Sequence, residues 1–304
     1  MLKSCYNFGK IYMKNYLAGL LDKHRVAKAI YSRLTPPGFF KNFIHVEVET
    51  SSFCNRKCNY CPNFSYDKIN EAGSFLMDID ILRKIFSDLS AMRFSGTFSP
   101  HMYGEPLLEP RIVSIVKEAH AVGARPKIYT NADYLTATLL DELVRNGLDT
   151  LFISKHSSSL SRGAKEALRI LFDQTNEFRG CNVMDVCRKI NDQPLFINGL
   201  TFRIRDYYSD FREHRNFLHN RGGSLDINLS KEAGPIACQY VRYPVIDVQG
   251  NVVLCCNDYH GKHVLGNVME RSLLDIWQDP SNITLRKRIY HGKLDLKICQ
   301  ECVL

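Results

Sequence analysis

Three closely spaced cysteines, Cys54, Cys58 and Cys61, follow the first segment with the alternating pattern of a β-strand, residues 45–49. The C-x3-C-x2-C spacing places three thiols on one short loop, and thiolates are ligands for iron–sulfur clusters and other soft metals. Three thiolates can bind three irons of a [4Fe–4S] cluster and leave the fourth iron open to a small molecule. A zinc loop and three free thiols are the alternatives, although structural zinc usually takes a fourth protein ligand.

A second group of cysteines lies close to the C-terminus and comprises Cys238, Cys255, Cys256, Cys299 and Cys302. Four of these five can enclose one further cluster, and a zinc site with four cysteine ligands is the alternative. The chain has 11 cysteines, an odd number. In a reducing compartment, such groups indicate metal ligands before disulfides.

Strand and helix patterns alternate between the two groups of cysteines. Helical periodicity is found at residues 77–92, 111–121, 136–145 and 164–172, and strand patterns at 98–103, 127–129, 151–154, 200–204 and 224–229. The alternation predicts a mainly parallel sheet with helices outside it. Ligands of such folds bind at the carboxyl ends of the strands, which is where the first cysteine loop lies.

The pattern changes after Cys238. Residues 245–248 and 252–254 flank Gln249-Gly250-Asn251, which predicts a β-hairpin, and helices are expected near 272–277 and 283–291. The polar stretch around Cys181 and Cys187 predicts neither a helix nor a strand.

Composition limits the class of protein. The chain has 304 residues, of which 45% are hydrophobic and 24% charged, and this excludes a mostly disordered or fibrous protein. The formal net charge of +8 is dispersed, and no nucleic-acid-binding motif accompanies it. No apolar stretch reaches 18 residues, so no transmembrane segment is predicted. Without the pattern of a signal peptide, the expected location is the cytoplasm.

The first cysteine loop resembles the signature of the radical S-adenosylmethionine (radical SAM) enzymes. In that family the three cysteines hold a [4Fe–4S] cluster whose open iron is chelated by SAM. The resemblance implies that Cys54, Cys58 and Cys61 are these ligands. It also implies that Tyr60, between the last two cysteines, lies beside the adenine of SAM.

Other short motifs follow in the order of the same family. Tyr103-Gly104-Glu105-Pro106 stands where the family has a Gly-Gly-Glu-Pro-like motif, so Tyr103 and Gly104 are expected at the SAM site, and Glu105 is expected to accept a hydrogen bond from the SAM ammonium. Ser154 and Lys155 end the fourth predicted strand, where the family places polar contacts to SAM.

The second cysteine group resembles the "twitch" extension, a shortened SPASM domain of radical SAM enzymes. Residues 250–255, 265–268 and 276–277 carry this resemblance. It implies an auxiliary [4Fe–4S] cluster, and hence two [4Fe–4S] clusters in all. The implied auxiliary ligands are Cys238, Cys255, Cys299 and Cys302.

The resemblance implies an α/β fold, a partial (β/α)6 TIM-like barrel with a small C-terminal twitch/SPASM-like cluster-binding extension. The expected boundaries are residues 1–42 for an N-terminal helical extension, 43–233 for the radical SAM partial barrel and 234–304 for the auxiliary [4Fe–4S] domain.

Residues 128–131 and 220–223 extend the similarity to radical SAM enzymes that oxidise a secondary alcohol of an aminocyclitol to a ketone. The implied substrate is a small carbohydrate-like molecule, namely an amino sugar, an aminocyclitol or a related carbohydrate. The implied electron acceptor within the enzyme is the auxiliary cluster. By position, Arg221 would contact the reacting hydroxyl and Tyr129 would line the substrate site. The expected external electron donor is a flavodoxin or a ferredoxin-type protein.

Three alternatives remain open. Cys256 stands where the similar dehydrogenase has a bulky aromatic residue, and a thiol facing the substrate can return a hydrogen atom, which gives an epimerase. Because neighbouring strand residues face opposite sides, Cys255 can reach the cluster while Cys256 faces the substrate. The other two alternatives are a peptide-modifying SPASM-type maturase and a non-enzymatic iron–sulfur electron carrier.

Overall fold

The computed structural model describes residues 38–64, 66, 76–209, 220–225 and 238–302. The helices expected near the N-terminus, and most of the strand expected at 224–229, lie outside these residues. Within the described part of the chain, none of the helices combines the length and apolarity that a membrane span requires.

The described strands form one mixed sheet. They are β1 (His45–Val48), β2 (Thr97–Ser99), β3 (Arg125–Thr130), β4 (Thr150–Ser154), β5 (Leu195–Ile197), β6 (Leu200–Arg205), β7 (Val245–Ile246), β8 (Asn251–Val253) and β9 (Val264–Asn267). Their order is β5-β6-β4-β3-β2-β1-β7-β8-β9. Neighbours from β6 through to β7 are parallel, whereas the β5–β6, β7–β8 and β8–β9 pairs are antiparallel. The prediction of a mainly parallel sheet is confirmed.

Eight α-helices have bounds within the described residues. They are α1 (Ile79–Ala91), α2 (Ile112–Ala121), α3 (Ala137–Arg145), α4 (Arg162–Phe172), α5 (Val183–Lys189), α6 (Leu273–Gln278), α7 (Pro280–Tyr290) and α8 (Lys297–Glu301). Side-chain caps fix where three of these helices begin. Asp78, Thr136 and Ser161 accept hydrogen bonds from the first-turn backbone N–H groups of α1, α3 and α4.

The helices cover one face of the sheet. On β1, Val46 and Val48 are fully buried in an apolar cluster with Ile85 of α1 and Trp277 of α6. Because successive strand residues point to opposite faces, His45 and Glu47 lie on the other face, which we call the inner face. The same alternation places Lys127 and Tyr129 of β3, Phe152 of β4 and Arg203 of β6 on the inner face.

The hairpin after Cys238 extends this sheet, because β7 pairs in parallel with β1 at Glu47–Val245 and Val48–Ile246. A buried carboxylate adds a second connection: Asp88 of α1 accepts a 2.9 Å hydrogen bond from the backbone N–H of Leu273 at the start of α6. The sheet therefore continues across the boundary expected at residue 234, and that boundary stays a prediction.

Local structure differs from the sequence pattern in three places. The strand expected at 98–103 ends at Ser99, because Pro100 has no N–H for a strand ladder. The first hairpin strand ends at Ile246, since the Asp247 carboxylate accepts from the backbone N–H groups of Gln249 and Asn251 and starts the turn. The unassigned polar stretch contains α5, which includes Cys187, and it is followed by the short strand β5.

Candidate functional site

The first cysteine loop leaves the carboxyl end of β1. Cys54, Cys58 and Cys61 are each partly buried, and the loop is closed by a 2.9 Å hydrogen bond from the Cys61 backbone N–H to the Cys58 carbonyl. The backbone N–H of Arg56 points at Cys54 Sγ at 3.5 Å. Burial raises the pKa of Cys54 to about 11, and the charges of Glu105 and the other two thiols add to this effect. A bound metal centre would hold these thiols in the thiolate form, because coordination to a cation stabilises the thiolate.

The loop after β2 lies directly against this cysteine loop. The backbone N–H of Glu105 donates to the carbonyl of Phe53 at 2.8 Å, and Asn63 Nδ2 donates to the carbonyl of Tyr103 at 3.0 Å. A Cβ atom at position 104 would lie 1.9 Å from the carbonyl oxygen of Ser51. Gly104 therefore allows an approach of two backbones that any other residue would prevent.

Glu105 is 3% exposed, and both of its carboxylate oxygens have partners within the protein. Oε1 accepts from Thr130 Oγ1 at 2.5 Å and from the Leu107 N–H at 3.0 Å, while Oε2 accepts from the Asn131 N–H at 2.8 Å. Burial raises the pKa of Glu105. An ionised carboxylate has about four acceptor positions, so one is left for a ligand such as the expected SAM ammonium. That contact stays a prediction.

Two side-chain contacts hold the cysteine loop to the ends of β3 and β4. Arg56 forms a bidentate ion pair with Asp133 at 2.5 and 2.6 Å, and the Tyr60 hydroxyl lies 2.6 Å from His156 Nδ1. Cys58, Tyr60 and His156 line an open cleft of about 500 Å³. This volume is in the range of small-molecule sites.

The two residues expected at the end of the fourth strand have different surroundings. Ser154 ends β4 on the same strand face as Phe152, whereas Lys155 is 4% exposed and forms a 2.7 Å ion pair with Asp206. The sequence contains no short-range signal of this ion pair, because the two residues are 51 positions apart. A SAM contact from either residue stays a prediction.

The second cysteine group surrounds a separate cavity. The thiols that line it belong to Cys238, Cys255, Cys299 and Cys302, and the remaining wall is mainly apolar. Burial raises the pKa of all four thiols, to about 12 for Cys299. Backbone N–H groups of Tyr240 and Asn257 point at the sulfur atoms of Cys238 and Cys255. Four thiols in one apolar cavity fit a cluster that has no open iron.

The spacing of the side chains also bears on the zinc alternative. Across the described ranges, no three Cys, His, Asp or Glu side chains converge as ligands of a single metal ion. Tetrahedral zinc would bring its sulfur ligands to roughly 3.8 Å from one another. A cubane binds each thiolate at a different iron and spaces the sulfurs more widely, so the sulfur–sulfur spacing is what distinguishes the two alternatives.

Three polar side chains that the sequence did not indicate, His45, Glu47 and His101, lie on the inner face together with the predicted Tyr129. Glu47 Oε1 lies 3.2 Å from His45 Nε2, and the rings of His101 and Tyr129 are 4.6 Å apart. Burial alone would raise the pKa of Glu47, but the hydrogen bond with His45 and the charges of His101 and Lys127 lower it below the usual range. Burial also lowers the pKa of His101 to about 4. Alternation along β1 gives the side on which Glu47 lies but not its neighbours.

Cys256 lies apart from the second cavity. The Tyr243 hydroxyl donates to Cys256 Sγ at 3.6 Å, and the ring of Tyr243 packs edge-on against His45. Burial raises the pKa of Cys256 to about 12. Cys255 and Cys256 therefore point to different surroundings, one to the second cavity and the other to the inner-face residues.

Arg221 lies between the two cysteine groups. Its charge acts on Cys61 of the first loop and on Cys302 of the second group. Its Nη1 donates to Asn257 Oδ1 at 3.4 Å, and its guanidinium is 5.9 Å from the centroid of the Tyr103 ring. The backbone of Arg221 has φ of 50°, a left-handed conformation that turns the chain at this point.

Sequence comparison identifies two families in the order in which these sites occur. The radical SAM superfamily matches residues 48–180, and the SPASM iron–sulfur cluster-binding domain matches residues 238–303. A curated relative, the S-adenosyl-L-methionine-dependent 2-deoxy-scyllo-inosamine dehydrogenase of Niallia circulans, is 33% identical over 269 residues. The alignment covers 86% of this chain and 93% of the relative.

Solved structures give the same relationship. The crystal structure of BtrN in complex with AdoMet and 2-DOIA superposes with a TM-score of 0.66 at 27% identity, covering 86% of this chain and 94% of BtrN. The structure of anSMEcpe with bound AdoMet shares the fold, with a TM-score of 0.51 at 14% identity, covering 82% and 81%. SAM and [4Fe–4S] clusters are thus the cofactors of this fold, and the residues described above fit them. The chain belongs to the radical SAM superfamily and carries a C-terminal SPASM domain.

Proposed function

We propose that this radical SAM enzyme oxidises an alcohol-bearing carbon of an amino sugar, an aminocyclitol or a related carbohydrate to a ketone. The main support is that Cys256 lies near both Arg221, whose charge also reaches Cys61 and Cys302, and Tyr129 of the inner face. The 2-deoxy-scyllo-inosamine dehydrogenase supports the same reaction, because the alignment with it spans both groups.

The cofactor ligands follow from this arrangement. Cys54, Cys58 and Cys61 would hold the [4Fe–4S] cluster that binds SAM. The auxiliary [4Fe–4S] cluster would be held by Cys238, Cys255, Cys299 and Cys302. Together, SAM and the clusters supply hydrogen abstraction from a C–H bond and a store for the electron that leaves the substrate. A flavodoxin or ferredoxin-type protein is the proposed external donor.

The inner-face residues provide the polar part of the reaction. Arg221 is always protonated, so it can donate a hydrogen bond to the reacting oxygen and orient it, but it cannot accept its proton. Ketone formation requires loss of that proton. His101 is neutral at pH 7, its buried Nδ1 has no hydrogen-bond partner among the described residues, and Glu47 lies near enough to stabilise its protonated form. His101 is therefore the candidate proton acceptor, and its pKa of about 4 makes it a weak base that accepts a proton only at an energetic cost.

An epimerase is the second candidate, and the surroundings of Cys256 favour it. A hydrogen-atom donor must keep its S–H, and burial maintains the protonated thiol of Cys256 at neutral pH. The Tyr243 hydroxyl, at 3.6 Å, fixes the position of the sulfur. Peptide modification stays an alternative from the sequence, and the inner face adds no observation in its favour.

Product analysis in deuterated water separates the two reactions. The reconstituted protein is incubated with SAM, a reductant and a panel of aminocyclitols and amino sugars, and carbonyl products are trapped and identified by mass spectrometry. A ketone without deuterium on carbon supports the dehydrogenase. An inverted carbon that carries deuterium would refute it in favour of the epimerase.

Variants assign the role of Cys256. Cys256→Ser should preserve ketone formation by a dehydrogenase and should abolish deuterium incorporation by an epimerase. Cys181→Ser is the matched control, because Cys181 is exposed and belongs to neither cysteine group. Loss of ketone formation in Cys256→Ser, with iron content unchanged, would contradict this expectation and show that Cys256 takes part in the oxidation.

A further inference from the structure

Lys127 is a largely buried lysine on the inner face of the sheet. It lies on the inner face of β3, two residues before Tyr129, and its ammonium is 4.3 Å from the centroid of the Tyr129 ring and 5.8 Å from that of Phe152. Within the described ranges it forms no hydrogen bond and no ion pair. Contact with aromatic rings compensates only part of the cost of removing an ammonium from water.

A second cation faces the same space from a neighbouring strand. Tyr129 of β3 pairs with Phe152 of β4, and Phe152 pairs with Arg203 of β6, so the three side chains stand side by side on one face. The guanidinium of Arg203 is 5.5 Å from the centroid of the Phe152 ring. One edge of this guanidinium binds Asp192, while its buried Nε has no partner among the described residues.

Two carboxylates act on Lys127 from a distance, and both have other partners: Glu47 has His45, and Asp149 accepts from the Thr150 hydroxyl. Glu47 is bound to His45 and does not approach Lys127 within ion-pair distance. Two other basic side chains around the cysteine loop do have partners, since Arg56 pairs with Asp133 and Lys155 with Asp206. Two adjacent cations with one unpaired ammonium and one unpaired buried N–H form a site that an anion from solution would complete.

We propose that Lys127 and Arg203 bind an anionic group of the substrate, either a phosphate ester or a carboxylate. The substrate would then be a phosphorylated or acidic sugar or cyclitol, which narrows the proposed function and rests on it. Tyr129 lies between this anion site and the residues near Arg221 and Cys256. The anionic group therefore anchors one end of the substrate while the reacting carbon faces the other.

Calorimetric binding to the anaerobic holoprotein with SAM tests this proposal without requiring turnover. The probes are matched pairs: myo-inositol 1-phosphate against myo-inositol, glucosamine 6-phosphate against glucosamine, and glucuronate against glucose. A charge-assisted hydrogen bond contributes about 1.5–3 kcal/mol, so a charged member should bind about 10- to 100-fold more tightly than its neutral partner. Preference among the charged probes separates phosphate from carboxylate.

Substitutions of Lys127 test whether this residue causes the preference for charged probes. Lys127→Met should remove the 10- to 100-fold preference, whereas Lys127→Arg should retain most of it. Lys117→Met, at an exposed position of α2, is the control and should bind all probes as the wild type does. Iron content and circular dichroism verify that each variant is folded.

The outcomes distinguish this proposal from the proposed function. Equal binding of charged and neutral probes, or an unchanged preference in Lys127→Met, would overturn the anion site even if a neutral alcohol is oxidised. A Lys127-dependent preference without any carbonyl product would establish the anion site and would refute the dehydrogenase.

Discussion

Replacing Gly104 with alanine tests the contact that brings the loop after β2 against the first cysteine loop. The new Cβ would lie 1.9 Å from the Ser51 carbonyl oxygen, about 1.1 Å closer than the 3.0 Å below which such contacts essentially never occur. The two backbones must therefore separate by at least that amount. The hydrogen bond from the Glu105 N–H to the Phe53 carbonyl, now 2.8 Å, would then approach 3.9 Å and be lost.

The expected cost is about 1–3 kcal/mol of unfolding free energy, because a buried donor and acceptor lose each other. A displacement of about 1 Å near reacting groups can reduce a rate by about 100-fold. We therefore expect Gly104→Ala to weaken SAM binding by at least about tenfold and SAM cleavage by more. Equilibrium dialysis with labelled SAM measures the first, and chromatography of the cleavage products measures the second.

Gly180→Ala is the matched control. Gly180 has φ of 72°, so alanine there incurs a backbone cost of about 1–2 kcal/mol, but a Cβ at this position meets no atom within 4 Å. The control should lose stability and keep SAM binding. If Gly104→Ala binds and cleaves SAM like the wild type, the close approach of the two loops has no functional role and the reasoning fails.

Three further predictions concern other parts of the molecule. The Cys299→Ser/Cys302→Ser double variant should lower the iron content from about eight to about four atoms per chain and should still cleave SAM. An unchanged iron content by chemical analysis would contradict the assigned auxiliary ligands. The pKa of His101 is about 4 in the folded protein and about 6.5 in the unfolded chain. Between pH 6.5 and pH 4 the unfolded chain therefore binds more protons, and the free energy of unfolding falls as the pH decreases. His101→Gln should therefore reduce the loss of unfolding free energy between pH 7 and pH 5 by about 2 kcal/mol in anaerobic urea titrations, and parallel pH profiles would disprove this. Asp88→Ala should lower the free energy of unfolding by about 2–3 kcal/mol, because it leaves the Leu273 N–H buried and unpaired. Asp88→Asn should restore most of this stability, and equal urea midpoints for the two variants would show that the hydrogen bond is unimportant.

Much of the architecture could be predicted from local patterns. The apolar periodicity predicted α1 to within two residues at its start and one at its end, because the alternation of apolar positions and the Asp78 cap both act within a few residues. The alternation on β1 predicted a strand in the same way. Local patterns failed where a short element or a turn depends on contacts made elsewhere, as at β5 and at the hairpin turn that the Asp247 carboxylate closes.

The candidate site, too, could be predicted only where residues close in sequence determine it. Spacing alone brought the three cysteines of the first loop together, because residues three or four positions apart on a loop are necessarily close. Cys238 and Cys255 are far in sequence from the Cys299–Cys302 pair, so the four-thiol cavity is a result of the tertiary structure. The sequence placed Glu105 near the cysteine loop but gave no indication that Thr130 and Asn131 would bind both of its oxygens. That knowledge requires the relative position of β2 and β3.

The sequence by itself thus determined the alternation of strands and helices, the cysteine spacing and the face of the sheet on which each strand residue lies. Only the tertiary structure decided which side chains meet there: Glu47 with His45, His101 with Tyr129, and Lys127 beside Arg203 with no ion pair to Lys127 among the described residues. The physical reason is that strand alternation fixes the direction of a side chain, whereas its partners depend on sheet order and register between strands that are far apart in the chain.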